Sequence, residues 1–193
     1  MTTGRPRASS REVLSEAACE LFLERGFDAT SITDISARAG VSRSSFFNYF
    51  ESKEAILWSS LDGRIETLRA ETPVVDAAAA LMDMCRDLQP DSLALALVNA
   101  HAMGLVDELE RGAAVRSARI AAAVSTSLVA AGADPVSAAI CGAAHAGAVM
   151  VSIERWARAG AGRASLSDEL AHALAVAAVT LPDARAGKQL PLD

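Results

Sequence analysis

One short segment, SRSSFFNYF at residues 42–50, carries side chains whose chemistry suits the reading of DNA. The Arg43 guanidinium can form two hydrogen bonds to a guanine edge or pair with a phosphate. Ser44 and Ser45 are short and would let a helix approach base edges closely. Asn48 can hydrogen-bond a phosphate or an adenine edge, and Phe47 can pack on a thymine methyl group. These residue types predict a surface that contacts DNA.

The surrounding residues predict two short helices joined by a tight turn, with this segment on the second helix. Ser31 can cap the first of these two helices. Asp34 suits the first turn of that helix, because a carboxylate there interacts favourably with the helix dipole. Gly40 stands where a left-handed residue commonly ends a helix. Ser42 can then cap the next helix, whose free backbone N–H groups could hold a phosphate. This arrangement fits the helix-turn-helix of DNA-binding proteins.

The alternative for the same stretch is a small three-helix bundle that does not bind DNA. Such a bundle would need the caps and the apolar residues, including Phe46 and Phe50, which we expect in the core. It would gain nothing from the polar residues Arg43, Ser44, Ser45, Asn48 and Lys53. We therefore favour the helix-turn-helix.

The stretch ITDISARAGVSRSSFFNYFESKEAI, residues 32–56, resembles the DNA-binding signature of the TetR family of one-component transcriptional regulators. The resemblance covers about the first third of the chain, and the rest is similar to the family in helical layout. It implies phosphate contacts from Thr33, Tyr49 and Lys53, and base contacts from Arg43, Ser44 and Phe47. Many relatives have glycine in place of Ser44 and tyrosine in place of Phe47. The closest backbone approach and one hydroxyl contact therefore do not carry over.

The resemblance also implies an all-α fold with two domains. We expect a three-helix DNA-binding domain at residues 1–52, a linker helix at 53–70, and a helical ligand-binding and dimerisation domain at 71–193. The stretch SRSSFFNYFESKEAILW is further similar to actinobacterial regulators of the mycofactocin-associated type. That similarity implies a ligand of the fatty acyl-CoA kind.

Residue composition and apolar spacing predict helices nearly throughout the chain, because Ala, Leu, Glu and Arg dominate. The first helix has a regular core-facing stripe, made by Leu14, Ala17, Ala18, Leu21 and Phe22. We predict nine helices, at about residues 10–25, 32–39, 43–49, 53–70, 73–88, 91–103, 106–131, 135–159 and 168–181. Pro73 is expected to open the fifth and Ser167 to cap the ninth. Residues from Pro182 onward are predicted to be an unstructured tail.

The net charge of −6 does not oppose DNA binding once its distribution is considered. Residues 1–53 carry seven Lys+Arg and seven Asp+Glu, so the remaining eleven and seventeen hold the whole −6. Four of the seven acids share one stripe of the first helix and could point away from DNA: Glu12, Glu16, Glu20 and Glu24. Arg5 and Arg7 lie at residues 1–9, which could be a basic arm or a plain flexible terminus.

The C-terminal helices carry candidate residues for a dimer interface and a ligand pocket. Small and apolar residues recur along one face of the last two helices, which suits a four-helix interface between two copies or an ordinary core: Ile140, Ala143, Ala144, Gly147, Met150, Val151, Leu170, Leu174 and Ala177. The candidate wall residues of an apolar pocket are Trp58, Met82, Met84, Asn99, His101, Met103 and His145, each of which could equally be plain packing. With the family resemblance, we expect a homodimer that binds a small molecule.

The sequence gives little support to enzyme chemistry. His101, His145 and His172 lie on different predicted helices without metal-ligand spacing, and no GxSxG, GxGxxG or phosphate loop occurs. We expect no metal and no cofactor. No signal peptide is visible, no membrane helix is expected, and Cys19, Cys85 and Cys141 are predicted to be buried thiols, with a redox switch as the alternative.

Taken together, these patterns predict a cytoplasmic, ligand-responsive repressor. It would bind a palindromic double-stranded DNA operator as a homodimer and be released by a small apolar or amphipathic ligand. The alternatives are an activator on the same architecture and a helical binding module that does not bind an operator.

Overall fold

The computed structural model describes residues 10–160 and 163–180, which consist of α-helices and connecting turns. Ten helices occur in these residues: α1 (Ser10–Arg25), α2 (Ile32–Arg38), α3 (Arg43–Phe47), α4 (Lys53–Ala70), α5 (Ala77–Cys85), α6 (Ser92–Val98), α7 (Ala100–Met103), α8 (Val106–Ala130), α9 (Pro135–Ala159) and α10 (Leu166–Thr180). The predicted all-α fold is confirmed. The predicted basic arm, the residues between Gly160 and Arg163 and the C-terminal tail lie outside the described residues.

The chain divides into two compact units, of which the first comprises residues 1–59 and 90–109. Its core is built by the predicted apolar stripe of α1 together with side chains of α2, α3 and α4, all at most 6% exposed: Leu14, Ala17, Ala18, Leu21, Phe22, Phe27, Ile35, Phe46, Phe50, Ile56 and Leu57. Helices α6 and α7 pack against α1 in the same unit. We expected the DNA-binding domain to end at residue 52. In the structure, residues 90–109 also pack with the N-terminal helices and belong to the first unit.

The second unit comprises residues 60–89 and 110–193. In its described part, α10 packs along α9 and also against α5. The core contains branched aliphatic residues from α4, α5, α8, α9 and α10, none more than 2% exposed: Leu61, Ile65, Leu81, Ile120, Val124, Val149, Ile153 and Leu170. Two long helices of 25 residues each, α8 and α9, supply much of this core.

Several helix boundaries differ from the prediction, and three of the differences have a clear local reason. The fifth helix begins at Ala77, because the Asp76 carboxylate caps it by accepting from the Ala79 N–H; Pro73 precedes it in a non-helical stretch. Asn99 has φ −110° and ψ 20°, which separates α6 from α7 and makes ten helices instead of nine. The last helix begins before Ser167, because the Ser165 hydroxyl accepts from the Asp168 N–H at 3.4 Å.

Helix α9 is long and apolar enough to cross a membrane by length and composition alone, contrary to the expectation that no segment would be. The core helix of a soluble protein passes the same test, so this property is weak evidence for a membrane span. In the structure, 44% of the 18-residue apolar segment of this helix is buried within the protein.

The three cysteines are free and buried, as predicted. Burial raises the pKa of the Cys85 thiol to about 11 and also raises the pKa values of Cys19 and Cys141. A thiol with a raised pKa is a weak nucleophile at neutral pH, because the thiolate is the reactive form. The burial therefore favours a packing role over a redox switch.

Candidate nucleic-acid interface

The helix-turn-helix is held by side-chain caps at the start of each of its two helices. Ser31 and Asp34 form a reciprocal capping box, in which the Ser31 hydroxyl accepts from the Asp34 N–H and the Asp34 carboxylate accepts from the Ser31 N–H. The Ser31 hydroxyl and the Ser31 backbone N–H both donate to the Asp34 carboxylate, and these two hydrogen bonds lower the pKa of Asp34. Gly40 has φ +69°, a left-handed conformation that glycine adopts without strain. The predicted caps and turn are confirmed.

Helix α3 is short and begins with a cluster of three serines. The Ser42 hydroxyl accepts from the Ser45 N–H at 3.1 Å, which confirms the predicted cap. The same oxygen lies 2.8 Å from the hydroxyl oxygens of both Ser44 and Ser45. These three hydroxyl groups place a compact polar surface at the N-terminus of α3.

The outer face of α3 carries an arginine stacked on an aromatic ring. The Arg43 guanidinium carbon lies 5.1 Å from the centroid of the Phe47 ring, within the range of a cation–π interaction. Phe47 is 46% exposed, and Arg43 is exposed beside it. The residues are one helical turn apart, which makes them neighbours on the surface.

Phe46 on the inner side of α3 and Phe50 in the turn after it both lie in the core, as expected. They are at most 3% exposed, and their ring centroids are 5.7 Å apart. Arg11 of α1 places its guanidinium carbon 5.2 Å from the Phe50 ring centroid. The aromatic core thereby orients α3 and leaves Asn48 and Tyr49 exposed next to it.

Two acids of α1 are paired with one arginine of α2. Arg38 donates to Glu20 at 3.0 Å and forms a two-pronged pair with Glu24 at 2.9 and 2.7 Å. The hydrogen bond from Arg38 lowers the pKa of Glu24, so the carboxylate stays ionised. The predicted acidic stripe thus has a basic partner that periodicity alone did not indicate.

Of the three residues predicted to contact phosphates, two are exposed and one is hydrogen-bonded within the protein. Thr33 is exposed on α2, and Tyr49 is 42% exposed. The Lys53 ammonium instead donates to the backbone carbonyls of Phe27 at 2.7 Å and Thr30 at 3.1 Å. This lysine is therefore already occupied by acceptors within its own unit.

The predicted dimer residues fall mainly on an exposed face of α9 and α10. Ile140 and Val151 are 53% and 51% exposed, although both are large apolar residues. Ala143 and Gly147 are exposed, and four others are half-buried: Ala144, Met150, Leu174 and Ala177. Leu170 must be removed from this set, because it is fully buried in the core of its own unit.

A groove of about 490 Å³ runs along this face between α9 and α10. Its lining combines predicted residues with several that the sequence interpretation missed: Ala148, Arg155, Glu169, His172, Ala173 and Val176. Arg155 spans the groove by donating to Glu169 at 2.7 Å. Arg155 lies one helical turn beyond Val151, on the same face of α9 as Ala144. Continuing that helical spacing would have predicted it as part of this face. We call this surface the α9–α10 face.

The predicted pocket residues do not form one set. Trp58, Asn99, His101 and Met103 belong to the first unit, and Met82, Met84 and His145 to the second. Trp58 and Met103 are buried core residues, whereas His101 is exposed. The Nδ1 atom of His145 lies 2.8 Å from the Cys141 carbonyl oxygen of its own helix. Of these residues, Met84 lines a cleft of about 530 Å³ beside α4 and α5.

No group of three or more His, Cys, Asp or Glu residues that could hold a metal ion occurs within residues 10–160 and 163–180. His101 lies in the first unit, and His145 and His172 lie in the second.

The N-terminal helices match a known family of regulators. Residues 14–58 match the family described as bacterial regulatory proteins, tetR family. Over 83 residues the chain is 34% identical to the putative mycofactocin biosynthesis transcriptional regulator MftR of Mycobacterium tuberculosis, covering 43% of this chain and 42% of that protein. Over 49 residues it is 47% identical to the transcriptional repressor DhaR of Mycobacterium sp. (strain GP1), covering 25% of each. The chain therefore spans less than half the length of these curated relatives.

Solved structures extend the likeness to nearly the whole fold. The structure of Thermus thermophilus FadR, a TetR-family transcriptional repressor in complex with lauroyl-CoA, is 28% identical with a TM-score of 0.51, covering 95% of this chain and 98% of that one. A putative TetR-family regulator from Syntrophomonas wolfei shares the fold with a TM-score of 0.57 at 18% identity.

The capped helices, their turn and the exposed face of α3 define a helix-turn-helix protein. Residues 14–58 thus match the tetR family of bacterial regulatory proteins, and the similarity to MftR and to the FadR structure agrees with that match. The matching stretch of MftR also supports the subtype resemblance seen in the sequence.

Proposed function

We propose that this protein is a cytoplasmic transcriptional regulator that represses its target genes. It binds a palindromic DNA operator as a homodimer and is released by a small apolar or amphipathic ligand. The observation that carries the proposal is the exposed face of α3, where Arg43 stacked on Phe47 stands beside three serine hydroxyls on a capped helix. A capped helix with an exposed arginine is suited to enter a major groove with its N-terminal residues against base edges.

The polar residues around α3 divide into base and phosphate contacts in this proposal. Arg43, Ser44 and Phe47 read base edges, while Thr33, Ser42, Ser45, Asn48 and Tyr49 hold phosphates. Helix α3 itself contains no acidic residue, and Arg38 pairs with two acids of α1 in the same unit, which leaves one uncompensated negative charge there. A modest positive footprint suffices for a dimer, because each neutralised phosphate releases counterions and the two halves add.

The α9–α10 face is the proposed dimer interface. Exposed apolar residues such as Ile140 and Val151 would lose water contact against a second copy, and the small residues Ala143 and Gly147 would let helices approach closely. To meet successive major grooves of a palindrome, the two copies of α3 in such a dimer would need to lie about 34–36 Å apart.

The ligand is proposed to be an amphipathic acyl compound. Support comes from FadR of Thermus thermophilus, a related repressor whose structure contains lauroyl-CoA. The second unit also has a cleft of about 530 Å³, lined by Leu68, Val74 and Met84 with Arg64 at its edge. This volume lies within the range of small-molecule sites, about 300–1,000 Å³.

Selection of binding sequences from a random duplex pool tests the DNA-binding function. We expect the purified protein to enrich one palindromic motif, because each of two identical reading helices contacts the same half-site. An Arg43→Ala variant, carried through the same rounds, is the control and should enrich no motif or a degenerate one. Equal enrichment of all sequences by the wild-type protein would contradict the proposal.

Lauroyl-CoA added to the protein bound to its enriched duplex tests the ligand class. We expect release of the DNA, because a ligand that binds the free state better shifts the population towards that state. Free coenzyme A is the matched control, since it lacks the acyl chain. Retention of DNA at saturating lauroyl-CoA would contradict the acyl ligand while leaving DNA binding intact.

A further inference from the structure

We infer that Arg11 of α1 is a further DNA-binding residue, which holds a backbone phosphate beside the turn that follows α3. The inference deepens the proposed DNA-binding function and rests on it. The sequence resemblance gave this arginine no contact, because Arg11 lies outside the stretch 32–56 that carries it. Arg11 also precedes residues 14–58, which match the family.

The Arg11 side chain is held by an aromatic ring next to α3. Its guanidinium carbon lies 5.2 Å from the centroid of the Phe50 ring, within the range of a cation–π interaction. Phe50 is 3% exposed, whereas Arg11 is exposed, so the charged side chain remains accessible while its support is buried. The two residues before Phe50, Asn48 and Tyr49, are exposed and are proposed phosphate contacts. Arg11 therefore adds a positive charge beside this turn.

The direction of the Arg11 side chain follows from its place on α1. Arg11 shares a helical face with Ala18 and Phe22, seven and eleven residues later, and both of these are fully buried. Arg11 thus lies at the end of the core-facing stripe, where the stripe meets Phe50. The acids of α1 share another stripe, displaced by about 100° around the helix axis: Glu12, Glu16, Glu20 and Glu24.

Arg11 also differs from most arginines of its unit in its partners. The arginines in the described part of the first unit are Arg11, Arg25, Arg38 and Arg43. Arg25 and Arg38 pair with carboxylates of the same unit. Neither Arg11 nor Arg43 forms an ion pair with any residue in 10–160 or 163–180, and this includes Glu51, the acid that follows Phe50. These two arginines are therefore the cations of this part that keep their charge for an outside partner.

The rings that support the two arginines belong to one aromatic cluster. The Phe46 centroid lies 5.4 Å from that of Phe47 and 5.7 Å from that of Phe50. Arg43 stacks on Phe47 and Arg11 on Phe50, so one cluster presents two cations from two different helices. Stacking uses the face of a guanidinium and leaves the N–H donors in its plane, which match the oxygens of a phosphate.

The free protein gains little stability from the charge of Arg11. A positive charge in the first turn of a helix is opposed by the helix dipole, and the contact with Phe50 offsets this effect. Because the two effects are opposite in sign and similar in size, we expect Arg11→Gln to keep the Tm within about 2 °C of the wild-type value. A charge that does little for stability but is kept accessible is suited to binding.

The salt dependence of DNA binding tests the contact. We expect Arg11→Gln to lower the slope of log Kd against log salt by about two, because a dimer loses one phosphate contact in each half-site. Affinity should fall about tenfold or more at about 0.1 M salt, by the same factor on the enriched duplex and on a scrambled one. Arg25→Gln is the matched control: it removes the same charge from the same helix and should leave the slope within about half a unit of the wild-type value.

Duplexes with a single neutral methylphosphonate then locate the partner of Arg11. Neutralising a contacted phosphate should weaken binding by the wild-type protein and by Arg25→Gln. At one position in each half-site, the loss should nearly disappear in Arg11→Gln, because the substitution and the methylphosphonate remove the same contact.

An unchanged salt slope in Arg11→Gln, or the absence of any methylphosphonate position coupled to it, would overturn the inference. A loss of affinity confined to the enriched duplex would also overturn it, because that result indicates a base contact. If the wild-type protein shows no preference for the enriched duplex, the proposed operator binding fails, while the slopes on the scrambled duplex still decide the role of Arg11. If the wild-type protein binds neither duplex, both proposals are wrong.

Discussion

The stacking of Arg43 on Phe47 is the residue-scale feature most directly linked to recognition. A free arginine loses side-chain entropy when it is fixed against a base, and a guanidinium already held over a ring loses less. The 5.1 Å separation and the partial exposure of Phe47 leave the guanidinium edge available to a partner. We therefore propose that Phe47 orients the Arg43 side chain, in addition to any contact that Phe47 itself makes with DNA.

Replacement of the ring tests this assignment. Phe47→Leu keeps an apolar side chain but removes the cation–π contact, so we expect operator affinity to fall about two- to fivefold, equivalent to about 0.5–1 kcal/mol. Phe47→Tyr keeps the ring and should bind like the wild-type protein or better. The measurement is fluorescence anisotropy on the enriched duplex.

The same substitution in an Arg43→Ala background is the control that isolates the pair. If Phe47 acts through Arg43, Phe47→Leu should cost much less affinity once the arginine is gone. An equal loss in both backgrounds would mean that Phe47 contacts DNA independently of Arg43.

At the residue scale, the sequence predicted the interactions that are local and missed those that are distant. The cap of Ser42 involves a partner three residues away, and the apolar positions of Phe46 and Phe50 follow from helical spacing. The acceptors of Lys53 lie 23 and 26 residues earlier in the chain. Only the folded turn brings these atoms together, so no pattern within one helix could have indicated the hydrogen bonds of Lys53.

At the scale of elements, α8 and α9 approach each other closely at Gly142. A Cβ atom added to Gly142 would lie 2.5 Å from the Ala121 carbonyl oxygen and 3.3 Å from its carbonyl carbon. Both are backbone atoms, which cannot rotate away. The glycine is therefore required for the two long helices to pack at this distance.

We expect Gly142→Ala to destabilise the protein by about 1–3 kcal/mol, because overpacking forces backbone shifts. Gly63→Ala is the matched control: a Cβ there meets no atom within 4 Å, and alanine is favoured over glycine in a helix by about 1 kcal/mol. The measurement is urea unfolding at fixed protein concentration. A Gly142→Ala variant as stable as the wild-type protein would contradict the close packing.

Among the elements, long amphipathic helices were predictable and short irregular connections were not. The bounds of α4 and α9 were predicted correctly from their apolar faces and, for α9, from the Asp134–Pro135 start. The break at Asn99 was missed, because no glycine or proline marks it. The start of α5 was misplaced because Pro73 suits a helix start, whereas the Asp76 carboxylate provides the actual cap.

For the whole molecule, the exposed α9–α10 face makes the homodimer testable. Val151→Glu would place a carboxylate in the centre of the proposed interface, where an unpaired buried charge costs several kcal/mol, so the dimer dissociation constant should rise by at least about a hundredfold. Val115→Glu is the control, because Val115 is 55% exposed on α8 and lies outside this face. Sedimentation velocity over a concentration series gives the measurement.

If Val151→Glu remains a dimer at the same concentrations as Val115→Glu, the interface lies elsewhere on the molecule. If it becomes a monomer, its operator affinity should fall as well, because one reading helix alone contacts one half-site.

The all-α fold was evident from composition and the reading helix from its motif. The division into two units was not evident from the sequence, because residues 90–109 pack with a helix more than sixty residues earlier in the chain. The ligand-pocket residues were the least predictable, because Ala- and Leu-rich helices give similar patterns whether they line a cleft or fill a core.

The central claim is that the protein binds an operator through the exposed face of α3. Fluorescence anisotropy of the wild-type protein and Arg43→Ala on the enriched palindrome and a scrambled duplex, at several salt concentrations, tests it most directly. We predict a steep salt dependence and a preference of about 10³-fold or more for the palindrome, lost in Arg43→Ala while the dimer stays intact. Equal affinity of the wild-type protein for both duplexes would contradict the claim.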